Sequence, residues 1–267
     1  MRPGARGAPI VAALGALCAL ASAGPSFEAV AQSSIARDGR FAGLEWTFAR
    51  IKYQGSKLPG LSGCDTYDEC WTIDYPAAEQ NLSRRVRTVT SIQVNEPVAF
   101  PIDDQALWAN PWIYLVEPGT WIPTDAEVER LREYLLRGGT LTFDDFHGNV
   151  EWANLEKQMQ RVFPNRRIVD LPPEHPIFNA FYKIPEYPQT PGLGSFLAGR
   201  MWEKGGYVAK LRAIEDDSGR AMVLINWNVD MGDGWEWSNA ADYPGYVRFT
   251  AQAYRMQINE VVYALTH

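Results

Sequence analysis

Residues 124–149 read TDAEVERLREYLLRGGTLTFDDFHGN, and the reading of this stretch decides the fold. Thr124, with Glu127 three positions on, forms a capping box, so a helix begins at 125. Val128, Leu131 and Leu135 then recur at helical spacing as one apolar stripe. Gly138-Gly139 ends the helix, because glycine enters the left-handed region at no steric cost. A strand resumes at Thr140 and runs out into two aspartates, a histidine and a glycine. Just upstream, Trp112 to Val116 (WIYLV) is a continuous apolar run, as in a strand covered on both faces of its sheet. Strand, helix, strand with short loops is the pattern of a parallel sheet flanked by helices.

The same alternation extends outward. Residues 45–53 (EWTFARIKY) are rich in aromatic and β-branched types and predict a first strand. Pro76 suits the first turn of a helix carrying Ala78, Leu82, Val86 and Val89. Asp74 and Glu79 at its start and Arg84, Arg85 and Arg87 toward its end complement the helix dipole, so this arginine cluster requires no anion, and Asp74, in IDYP, is also a candidate for the ligand-binding edge of the sheet. Asn149 is placed to cap a helix with the stripe Trp152, Leu155, Met159 and Val162 or Phe163, and Arg167 to Leu171 predicts a short strand. Residues 208–214 and 221–227 form a hairpin around the turn DDSG. A last helix over roughly 246–265, with Phe249, Ala253, Met256 or Gln257, Val261 and Leu265, closes the domain. The expectation is a single α/β domain over 44–267: a mainly parallel sheet flanked by helices, with a C-terminal β-hairpin and a closing helix.

The chain opens in the manner of an export signal. Arg2 and Arg6 precede an apolar stretch from Ile10 to Ala23, and Ala29-Val30-Ala31 matches the small-x-small cleavage pattern. A signal peptide over 1–31, cleaved after Ala31, and a short linker over 32–43 are therefore expected. The apolar stretch is too short and too broken to span a bilayer, and no later segment is apolar enough to do so. Leu17 precedes Cys18 where a lipoprotein signal takes a small residue. The product is expected to be periplasmic or secreted, with no transmembrane segment. The net charge of the whole chain, −7, disfavours nucleic acid as a partner. Cys64 and Cys70, in GCDTYDEC, are expected to close one local disulfide, since a zinc site would need two further ligands nearby.

Taken together, WTFARIKY, DYPAAEQNL, LREYLLRGGTLTFDDFHG, HPIF and YRMQINEVVYALTH resemble the bacterial domain-of-unknown-function family 4159, from about residue 44 to the C-terminus. The resemblance implies a flavodoxin-like fold related to class I glutamine amidotransferases, and a bacterial envelope setting. It implies no activity. Amidotransferase chemistry needs a cysteine thiolate on a sharp strand-to-helix turn and a histidine to activate it. The turn after the strand at 140–144 holds Asp145-Phe146-His147, with no cysteine or serine, and none of the three histidines has a His-x-Glu context. Glutaminase activity is not expected.

Two segments concentrate chemistry. Asp144, Asp145 and His147 lie where a parallel sheet presents the carboxyl ends of its strands, the edge at which such sheets bind ligands. A D-D-x-H cluster suits Zn²⁺, Mn²⁺ or Mg²⁺, or an aspartate base paired with a histidine acid. Equally, one aspartate can cap the next turn while the histidine bonds to it. His175, between prolines in LPPEHPIF, is a further candidate for the same edge, though a lone histidine is commonly a structural hydrogen-bonder. In INWNVDMGDGWEW (225–237), Asn226, Asn228 and Asp230 alternate, and Asp233 and Glu236 follow. This partly matches a Ca²⁺ loop of EF-hand type, but its glycine falls at the seventh position and Trp237 stands at the twelfth. The plainer reading is a strand entering a Gly-rich loop. Trp235, Trp237 and Tyr243 are expected to form an aromatic surface for a glycan or a protein partner. The favoured function is thus a non-catalytic envelope binding module. The competing one is a divalent-metal-dependent hydrolase built on Asp144, Asp145 and His147, with His175. Convergence of at least three of these side chains on one point separates the two.

Overall fold

The computed structural model describes residues 39–55, 69–239, 241 and 243–267. The expected signal peptide and Cys64, and with Cys64 the expected disulfide, lie outside the described residues. In chain order the elements are β1 (Glu45–Trp46), β2 (Ala49–Lys52), α1 (Ala77–Val89), β3 (Gln93–Val94), β4 (Val98–Pro101), β5 (Trp112–Val116), α2 (Asp125–Leu136), β6 (Thr140–Phe146), α3 (Gly148–Val162), β7 (Val169–Asp170), α4 (Leu193–Leu197), β8 (Lys210–Glu215), β9 (Ala221–Trp227), α5 (Met231–Glu236) and α6 (Val247–Thr266). Seven strands form one sheet in the order β4-β2-β5-β6-β9-β8-β7, while β1 and β3 pair separately. From β4 to β9 all neighbours are parallel, and β8 and β7 add on antiparallel. Numbered along the chain, the five parallel strands lie 2-1-3-4-5. This is a doubly wound order whose switch point falls between β2 and β5, where such sheets open a crevice beyond the strand ends.

The apolar run in β5 explains the layers. Trp112, Tyr114 and Val116 point into a core shared with α1 and α6, whereas Ile113 and Leu115 point into a second core shared with α2 and α3. Side chains alternate across a strand, so a strand covered on both faces is apolar at every position. The capping box forms as the sequence predicts: Thr124 Oγ1 accepts from the Glu127 amide, and Glu127 accepts from the Thr124 amide. Gly138 follows α2 at φ 106°, in the left-handed region. From Met256 to Tyr263, α6 is buried on every side, and Gln257, Asn259 and Glu260 are buried with its apolar residues, which blurs its stripe.

β6 breaks its own alternation. Thr142 and Asp144 face α6 and α5, where Thr142 Oγ1 bonds Glu260 (3.2 Å) and Asp144 meets the amides of α5. Asp145 then enters the left-handed region at φ 55°, and the pairing with β9 shifts register between Phe143 and Phe146. This one-residue bulge returns Phe146 to the α2/α3 core, where it stacks on Trp152.

Three features depart from the sequence reading. The predicted first strand is two, β1 and β2, interrupted at Thr47-Phe48. Two short strands, β3 and β4, stand where no alternation marks them. The predicted Gly-rich loop after β9 contains a helix, α5.

Candidate functional site

All five non-glycine residues with positive φ among the described ones belong to one region: Asp74 (64°), Glu117 (53°), Asp145 (55°), Lys204 (46°) and Asn228 (64°). Glu117, Asp145 and Asn228 lie at or just past the carboxyl ends of β5, β6 and β9, and Asp74 precedes α1. For an L-residue this conformation costs about 1–2 kcal/mol. Such outliers gather at functional sites, where the surrounding structure enforces them.

Two trios of carboxylates meet here. Asp74, Asp145 and Asp230 each offer an oxygen within 4.8 Å of the others, and so do Asp74, Asp233 and Glu236. Each residue is fixed by its element. Arg50, buried in β2, donates from Nη1 to the carbonyls of Trp71 and Ile73 (both 2.9 Å), which holds the turn carrying Asp74. The same guanidinium pairs with buried Glu79 of α1. Asp230 caps α5 by accepting from the Asp233 amide (2.7 Å), and Asp233 accepts from the Leu193 amide (2.6 Å) and Trp237 Nε1 (2.9 Å). Two glycines make room. A Cβ on Gly232 would lie 2.0 Å from Asp74 Oδ2, and one on Gly192 would lie 2.6 Å from Glu203 Oε1 and 2.8 Å from Asp230 Oδ2.

The electrostatics follow from burial and like charge. Burial raises the Asp74 pKa well above the carboxylate range, and Asp233 and Asp145 add to this. Burial, then Asp145 and Asp233, do the same to Asp230. Asp233 is raised by burial against the opposing Leu193 amide. Glu236 is pushed up to about 7 by burial and Asp233. Each of these buried carboxylates disfavours the ionised form of the others, as like charges in a common space do. Asp74 Oδ2 is sealed from solvent and has no hydrogen-bond partner.

Further buried charged groups border the trios. His147, 1% exposed, sets Nε2 3.2 Å from Asp145 Oδ1, and its amide donates to Glu151 Oε2 (2.6 Å). Lys204 Nζ bonds Glu151 Oε1 at 2.7 Å and lies 3.9 Å from Glu117 Oε2. Burial disfavours the charged ammonium, but Glu117 and Glu151 outweigh it and hold the Lys204 pKa above its usual value. Glu117 is 5% exposed, and its Oε2 has no hydrogen-bond partner. Burial raises its pKa well above the usual range, and Asp145 is the strongest of the charges that do so.

The structure joins the two predicted segments into one place. Asp145, from the strand end, and Asp230, Asp233 and Glu236, from the later loop, are drawn together because β6 and β9 are adjacent parallel strands. Asp144 does other work. Its carboxylate accepts from Tyr114 Oη and the Gly232 amide (both 2.9 Å) and the Met231 amide (3.3 Å), so it anchors α5. Burial and Asp145 raise its pKa to about 7. Asn228 accepts from the Gly148 amide (2.9 Å) and donates to the Val208 carbonyl (2.8 Å), and Asn226 binds Tyr187 Oη and Glu260. His175 is not brought to the trios. It caps a short 3₁₀ turn and packs on Tyr263, whose hydroxyl meets Ala221 at the opposite end of β9. Trp235 is a correction: it is fully buried beside Tyr114 and Phe48, because α5 turns its apolar side onto the sheet. Trp237 and Tyr243 are half-buried and meet edge to face. Glu117, Glu151 and Lys204 carried no sequence signal; Asp74 did, in IDYP, as a further candidate for the strand edge that helix-dipole capping also explains.

The family model described as "Domain of unknown function (DUF4159)" matches residues 47–265. No curated protein matches the chain.

Proposed function

Because the chain belongs to the DUF4159 family, described only as a domain of unknown function, we propose its function from the site itself: it is a divalent-cation-binding domain of the bacterial envelope. One observation carries this reading. Asp74, Asp145 and Asp230 present oxygens to a common point, within 4.8 Å of one another, from three separate elements. An all-oxygen donor set without cysteine suits a hard cation such as Ca²⁺, Mn²⁺ or Mg²⁺. His147, bonded to Asp145, orients that ligand from behind, as outer partners of metal ligands do. The strand order 2-1-3-4-5 supports the finer assignment to a flavodoxin-like fold related to class I glutamine amidotransferases. On that fold the carboxylates take the place of the missing thiol chemistry. The signal-like start and the envelope setting implied by the family resemblance support export to the periplasm or beyond. There the cation is the contact through which the domain engages an envelope protein or a glycan.

A second reading, metal-dependent hydrolysis, is favoured by His147, an imidazole 3.2 Å from a cation ligand and so placed to move a proton. It keeps Asp145 and His147 of the predicted trio and gives Asp144 a supporting role.

The test is a melting curve of the exported chain, stripped of metal and carrying no chelating tag. At 100 times its Kd, a cation stabilises by about 2.7 kcal/mol, which for a domain of this size raises Tm by roughly 5–10 °C. The double variant D145N/D230N should lose that shift. If Ca²⁺, Mn²⁺ and Mg²⁺ all leave the wild-type Tm unchanged, the proposal fails.

A further inference from the structure

We infer that the centre holds two divalent cations, an inner and an outer one, bridged by the Asp74 carboxylate. This rests on the cation-binding reading above and extends it. Asp74 belongs to both trios, the only residue that does among the described ones. The inner trio adds Asp145 and Asp230, both buried; the outer trio adds Asp233 and Glu236, both half-buried. A carboxylate has two oxygens and can serve a cation on each side.

Charge points the same way. Asp74, Asp145, Asp230, Asp233 and Glu236 carry −5 when ionised. One divalent cation leaves −3 in a largely buried space, and two leave −1. The neighbouring cations are committed elsewhere: Arg50 to Glu79, and Lys204 to Glu151 and Glu117. Asp74 Oδ2 is buried without a hydrogen-bond partner, and only a glycine at 232 leaves room for it. The outer trio faces solvent more openly, so its cation exchanges faster and binds more weakly.

Mn²⁺ titrated into the metal-free full chain tests this, read by calorimetry and electron paramagnetic resonance. The expected result is two Mn²⁺ per chain, in a tight and a weak step, with a spectrum broadened by spin coupling as the second ion enters. E236Q, a change at a half-buried position, should remove the weak step and the coupling while the tight step remains. D145N should weaken the tight step, and D74N should weaken both; circular dichroism confirms that each variant is folded. One Mn²⁺ with an uncoupled six-line spectrum would overturn the pair and leave the single-cation reading standing. No bound Mn²⁺, with no binding of Ca²⁺ or Mg²⁺ either, would overturn both.

Discussion

Asp145 shows how much a single residue decides in this fold. Its left-handed backbone sends Asp144 to one face of the sheet, returns Phe146 to the other, and leaves its own carboxylate at the strand end among other carboxylates. Asparagine tolerates that conformation as well as aspartate does and keeps an oxygen for His147. D145N should therefore make the metal-free protein more stable, because it removes a charge that disfavours ionisation of Asp74 and Asp230, while reducing the Tm gain on adding cation. Paired urea melts with and without Mn²⁺ measure both effects; a less stable metal-free variant would mean that the cluster is not repulsive. Arg50 is the opposite case. Its guanidinium binds two carbonyls of the Asp74 turn and the buried Glu79 carboxylate. R50A strands that carboxylate and should cost about 3–5 kcal/mol. A denaturant midpoint within experimental scatter of wild type would contradict this account.

Among the elements, α2 was legible because its cap, stripe and glycine stop are all local signals. α5 was not, because Met231-Gly232-Asp233-Gly234 has poor helix propensity. Packing chose those glycines: a Cβ on Gly232 would strike Asp74, and one on Gly234 would lie 2.5 Å from Ala253 Cβ. β3 and β4 are too short for alternation to show. The site was half legible for a related reason. Each acidic segment could be found along the chain, but their meeting depends on β6 lying beside β9, which periodicity does not encode. Asp144 and His175 were chosen by residue type, whereas partners drawn from α5 and α6 decide their roles. α6 carries its own prediction through Glu260. Burial, with Asp144 next, pushes its pKa up to about 8, against the hydrogen bonds from Asn226, Thr142 and Gln257. The groups facing it are Asp144 on β6 and the Tyr187 phenol, whose pKa it raises in turn. Between an ordinary value of 4.5 and about 8, the folded protein holds a proton here that the unfolded chain releases. Stability from this group is therefore complete below about 4.5 and is lost as pH rises toward 8. Melts of metal-free protein from pH 5 to 8.5 should show that decline, and E260Q should remove its share of the slope. An unchanged slope in E260Q would show that Glu260 is not the titrating group.

Across the whole molecule, the site draws on residues from Asp74 to Glu236, so it exists only once the sheet has closed around it. Fold class follows from alternation and short loops, which act along the chain. The centre follows from crossovers, which act across it. The outer strands of the sheet have a different consequence. β7 contributes only two residues, and its Asp170 is engaged by Lys210 and Arg212; at the other side, β4 ends at Pro101. Short strands, charge and proline at sheet edges deprive a neighbouring copy of a template for main-chain pairing. Accumulation at high concentration should therefore leave the chain free of edge-to-edge polymerisation, and self-association would have to proceed through its helical faces.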